Sequence, residues 1–239
     1  MGARFPGPRG ANQVGAALAG KRRSMSTKTR DRAEVVDRLL DRYGTTYAAQ
    51  AGFTVRDTPA PLFRLLCLAT LLSARIRADI AVAAARAMAD AGWTTVDNLR
   101  SSSWEQRVKV INRSGYARYD ERTARMLGDS ADLLHDRWHG DLRRLRDEAR
   151  RDPGAERRLL KEFKGIGDTG VDIFFREIQG EWGELYPFVD RRAADSAARL
   201  DLPKDAGKLA DLVPRREFPR LVAALVRVGL DDGYAELGD

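Results

Sequence analysis

Cysteine and histidine are nearly missing from this chain: its 239 residues hold one of the former and two of the latter. A single thiol, Cys67, excludes a disulfide within the chain and a thiolate-ligated cluster or zinc site. Its place inside an apolar stretch reads as a buried thiol, as expected in a reducing cytoplasm. His135 and His139 share a helical face at i, i+4, but no acidic third ligand stands near them, so no metal site is expected. Long hydrophobic runs are also lacking. The longest apolar stretch spans residues 62–72 and is interrupted by Arg64, far short of the roughly 20 residues that cross a bilayer. No membrane association is expected. Strict apolar–polar alternation is absent as well, which argues against a sheet.

Acidic residues are missing from the first thirty positions. Arg4, Arg9, Lys21, Arg22, Arg23, Lys28 and Arg30 supply the whole excess of the +7 net charge, so residues 31–239 are formally neutral. A basic isoelectric balance therefore says little about a nucleic-acid face on the body. The segment 1–30 reads as a disordered basic tail. An Arg-rich, acid-free start is also the composition of an organelle transit peptide, although Met25, opening MSTKTRDRAEVV, is the plainer start.

What remains is helical spacing nearly throughout. Hydrophobic residues make up 43% and charged residues 32%, the balance of a globular protein. Val36, Leu39, Leu40 and Tyr43 mark a first helix, and Pro59 and Pro61 punctuate the chain before a buried helix at 62–74. A third helix at 77–91 ends at Gly92. Ser102 with Glu105, or Ser103 with Gln106, offers a capping box. Ala124, Leu127, Ala131 and Leu134 mark another helix, and Leu221, Leu225 and Val228 a last one. The fold class is all-α.

The segment LLKEFKGIGDTGVDIFF at 159–175 reads as two helices joined by a Gly165-Ile166-Gly167 hairpin, with Ile166 anchoring the turn. Glycines suit a sharp turn or a close approach, and a helix N-terminus presents free amides to a phosphate. Alone, such a turn is also an ordinary corner between helices.

Other segments give it a context. YPFVDRRAADSAARLDL follows about twenty residues downstream, while TLLSARIRADIAVAAARA and INRSGYARYDERTARML precede it. Together, over residues 33–230, they resemble the endonuclease III-like helix-hairpin-helix DNA glycosylases, in the family's order. That resemblance implies a helical barrel at 58–185, with the helix-hairpin-helix near 155–180. It implies a second lobe built from 31–57 and 186–239.

The resemblance also implies roles. Asp190 matches the catalytic aspartate, stabilising a cationic sugar or activating water. As a preferred helix N-cap it also has a plain structural reading, in which asparagine would serve equally well. Lys164, Gly165, Gly167, Thr169 and Gly170 would contact the DNA backbone. Arg75 and Tyr116 match wedge positions that fill the gap left by an extruded base; a solvated arginine and a half-buried tyrosine are the plain alternatives. Thr169 stands where bifunctional members carry a lysine nucleophile, which implies a monofunctional enzyme. The cysteines of the family's iron–sulfur cluster are missing, so no cluster is expected, although hairpins of the family hold a monovalent cation through main-chain carbonyls. The implied protein is a base-excision repair enzyme, a cytoplasmic monomer hydrolysing the N-glycosidic bond of a damaged or mismatched base in double-stranded DNA. A non-catalytic DNA-structure-binding protein, or a lyase cleaving abasic sites through another amine, is the alternative.

Overall fold

The computed structural model describes residues 31–237; the basic tail expected at 1–30 lies outside the described residues, as do 238 and 239. Among the described residues every regular element is helical. In chain order these are α1 (31–43), α2 (Tyr47–Gln50), α3 (Pro59–Leu72), α4 (Ala78–Asp90), α5 (Val96–Arg100) and α6 (Trp104–Arg113). There follow α7 (Asp120–Trp138), α8 (Leu142–Glu148), α9 (Pro153–Leu160), α10 (Asp168–Ile178), α11 (Arg191–Arg199), α12 (Ala206–Ala210) and α13 (Phe218–Asp231). None of the described helices is long and apolar enough to cross a membrane.

Local chemistry explains most boundaries. Ser103 and Gln106 form the capping box of α6, each side chain satisfying a backbone N–H of the other. Pro59 and Pro61 differ from expectation: they form the first turn of α3 rather than precede it. First-turn amides have no helical acceptor, so a ring that removes an N–H costs nothing there.

The apolar faces gather into distinct cores. The larger is built from α3 to α10, with α3 at its centre: Leu62, Leu65, Leu66 and Leu71 are all fully buried. The smaller joins Val36, Leu39 and Tyr43 of α1 to α11, α12 and α13. Tyr47, Ala48 and Ala51 pack on Leu68 and Val82, so this part of the N-terminal segment sits on α3 and α4 rather than with α1. Helix α10 packs against both α3 and α13 and so bridges the cores.

That bridge rests on adjacent buried charges. Glu177 accepts from the amides of Tyr47 (3.0 Å) and Ala48 (3.1 Å), which holds α2 against α10. Burial raises the Glu177 carboxyl above its ordinary value, against the pull of those amides and Arg176. Arg176, its neighbour, reaches the other way, to Asp190 at the start of α11.

Candidate functional site

The turn between α9 and α10 is a hairpin whose glycines differ in purpose. Gly165 has φ +91°, a left-handed conformation that side chains resist, and a Cβ there would lie 2.9 Å from Met126 Sδ. Ile166 is buried, and its N–H donates to Phe163 O at 3.0 Å, pinning the turn to the core. Gly167 is the N-cap of α10, and a Cβ there would meet nothing within 4 Å. No side chain caps α10, so the first amides of this helix have no side-chain acceptor.

Thr169 sits exposed on the first turn of α10 and lines a cleft of about 1140 Å³ together with Ser73, Arg75, Arg176, Asp190 and Arg227. The structure therefore brings Thr169, Arg75 and Asp190 to one cavity. Arg75 is exposed, and neither Arg75 nor Arg192 on the same cleft has an acidic partner among the described residues. Arg77 and Arg191, by contrast, are paired with Asp79 and Asp195.

Asp190 is buried. Its Oδ1 accepts from the amides of Arg192 (2.9 Å) and Ala193 (3.1 Å), so it is the N-cap of α11. Its Oδ2 accepts from Arg176 Nη1 at 2.5 Å, and each of these side chains is only 4% exposed. Three donors thus fix the carboxylate as a stationary negative charge. Arg176 Nε has no partner.

The remaining expectations divide. Lys164 is exposed beside the hairpin but forms an ion pair with Asp129 at 2.9 Å. Gly170 is buried, and a Cβ there would lie 2.7 Å from Ser73 Oγ, so this glycine lets α10 approach the end of α3 and presents no surface to DNA. Tyr116 is likewise corrected. It is fully buried, and its hydroxyl donates to Leu71 O at 2.8 Å, one of the last carbonyls of α3 and without a helical donor. Burial pushes that phenol up to about 12. A ring so placed fills the core and cannot fill a gap in a base stack. Cys67 is buried in α3, where desolvation pushes its thiol up to about 12. Among the described residues no three histidine, cysteine, aspartate or glutamate side chains gather to hold a metal ion.

Several residues of the site were not singled out from sequence. Arg176 is the most consequential; its only signal is a lone cation in the apolar string IFFREI. On the far side of the hairpin a cavity of about 840 Å³ is lined by Arg118, Tyr119, Arg122, Arg125 and Gly165.

No family model matches the chain, and no curated protein matches it. Among solved structures it is similar to a trapped endonuclease III–DNA covalent intermediate, an estranged-adenine complex. The identity is 15%, the TM-score 0.47, and the match covers 84% of this chain and 85% of that one. A likeness this low fixes neither activity nor substrate.

Proposed function

We propose that this chain is a monofunctional DNA glycosylase that extrudes a damaged or mismatched base and hydrolyses its N-glycosidic bond. One observation carries the reading: a fixed buried carboxylate, Asp190, and an uncapped hairpin helix meet on one large cleft. Phosphates of the double helix would sit against the free amides of α10 and the unpaired Arg75 and Arg192. The extruded nucleotide would enter the cleft, where its sugar gains positive charge as the bond to the base lengthens. A carboxylate already oriented by three donors stabilises that charge without reorganising. The same three donors favour this electrostatic role over proton transfer. Thr169 bears a hydroxyl and cannot form a Schiff base, so the product would be an intact abasic site. The larger core and the core that pairs α1 with α11–α13 would act as the lobes either side of the cleft, in a monomer. A monovalent cation at the hairpin would be held by main-chain carbonyls; Phe163 O already accepts from Ile166 N–H, and no step depends on such an ion.

A second reading has its own support. Arg176 neutralises Asp190 in the buried floor of the cleft, as suits a binding module that has lost turnover. Incubating the protein with duplexes carrying different lesions, followed by alkali to break abasic sites, separates the readings. Strand breaks that need alkali support the enzyme; binding without breaks on any lesion supports the module.

A further inference from the structure

Helix α9, the first helix of the hairpin, rests on an unusual group of charges away from the cleft. Glu156, in its first turn, is fully buried, and neither carboxyl oxygen meets an N–H or O–H donor. Its neighbour is another carboxyl, that of Glu184 in the short turn Gly183–Leu185. Arg146 of α8 grips Glu184 through Nε (2.5 Å) and Nη2 (2.6 Å) and reaches Asp57 through Nη1 (2.9 Å). Asp57 also accepts from Trp182 Nε1 at 3.0 Å. One guanidinium therefore serves two carboxyl groups, Glu184 and Asp57, and it does not touch Glu156.

Carboxyl oxygens that face each other can bond only when one carries a proton. We propose that Glu156 and Glu184 share a proton, and that this proton is a latch seating α9 and the hairpin on the body of the protein. The proton resides on Glu156. Burial, then the bond and charge of Glu184, push the Glu156 carboxyl up to about 8. Glu184, against the penalty of its own burial, is held below the usual carboxylate range by Arg146.

The groups facing Glu156 are Arg146 from α8, Glu184 from the turn and Asp152 from the loop before α9. On the α10 side, Asp168 and Asp172 are occupied by Arg157. The sign follows from proton binding. Below the ordinary glutamate range both folded and unfolded chains hold the proton, and the latch is intact. From there up to about 8 the folded chain keeps a proton that the unfolded chain has lost, so stability falls as pH rises. Above about 8 the folded chain loses it too, and like charges meet in a buried site beneath α9.

The test uses the full-length protein. Infrared spectra at neutral pH should show a protonated carboxyl band that disappears in Glu156→Gln. Hydrogen exchange over residues 153–167, corrected for its intrinsic pH dependence, should accelerate at least about tenfold once pH passes one unit above the carboxyl's own value. Thermal midpoints of the wild type should decline with rising pH, and those of Glu156→Gln should lack that decline. Parallel midpoint curves, or an infrared spectrum with no protonated carboxyl at neutral pH, would overturn the proposal. Should Glu156→Gln fail to fold, the band and the exchange rates of the wild type decide alone.

Discussion

Replacing Asp190 with asparagine is the most revealing single change. If Asp190 were only a cap, asparagine would be nearly silent, because both residues cap helices equally well. The structure gives a different expectation. Asparagine keeps an oxygen for the amides of Arg192 and Ala193 but removes the charge opposite Arg176. Arg176 would then be a buried cation with no carboxylate bonded to it, its Nε already without a partner. Breaking one side of a buried pair costs about 3–5 kcal/mol. Against a typical total stability of about 5–15 kcal/mol this is a large fraction. Alanine would add about 1 kcal/mol for the lost cap. Urea unfolding followed by circular dichroism reads these values directly. Arg176→Met combined with Asp190→Asn removes both charges and should recover most of the loss, since apolar replacements for buried pairs are often neutral. A change within about 0.5 kcal/mol for Asp190→Asn alone, the range of an ordinary surface substitution, would refute the buried pair.

Three further outcomes follow from the site. Tyr116→Phe should destabilise by about 1 kcal/mol, by leaving Leu71 O unpaired, and should leave binding to gapped or lesion-containing duplex unchanged; weaker binding at equal folded fraction would restore the wedge role. Gly165→Ala should destabilise by about 1–2 kcal/mol from the left-handed backbone alone, with the Met126 contact adding to it, whereas Gly167→Ala should be near neutral in urea unfolding; equal effects would mean that the turn is not built as described. Borohydride should trap no covalent adduct between the wild type and abasic DNA, while Thr169→Lys gains one if its amine reaches the sugar carbon. Efficient trapping by the wild type would disprove monofunctional chemistry.

Much of the fold could be read from spacing, because apolar periodicity fixes which face of each helix is buried. The α6 capping box and the end of α4 just before Gly92 rest on local rules, and local rules survive folding. The hairpin was legible for the same reason, with Ile166 between its glycines. Misreadings concern what tertiary packing decides. Tyr116 and Gly170 carry residue types compatible with a surface role, and tertiary packing, including the end of α3, buries them. Arg176 was invisible because its partner stands fourteen positions away on another helix, and nothing local marks the pair. The Glu156–Glu184 pair was hidden likewise: each residue is ordinary in its own segment, and only the fold sets them together around Arg146.

Single-turnover base release on the best lesion found among test duplexes is the most direct measure of the central claim, comparing the wild type with the folded, charge-free variant Arg176→Met/Asp190→Asn. Both proteins should be equally folded, and both should bind the duplex. The wild type should release base and leave an alkali-labile site, while the variant should be slower by at least about a hundredfold, as expected for loss of a positioned carboxylate. Equal rates in the two proteins would show that Asp190 does not carry the chemistry, and no release by the wild type on any lesion would show that the cleft binds DNA without excising a base.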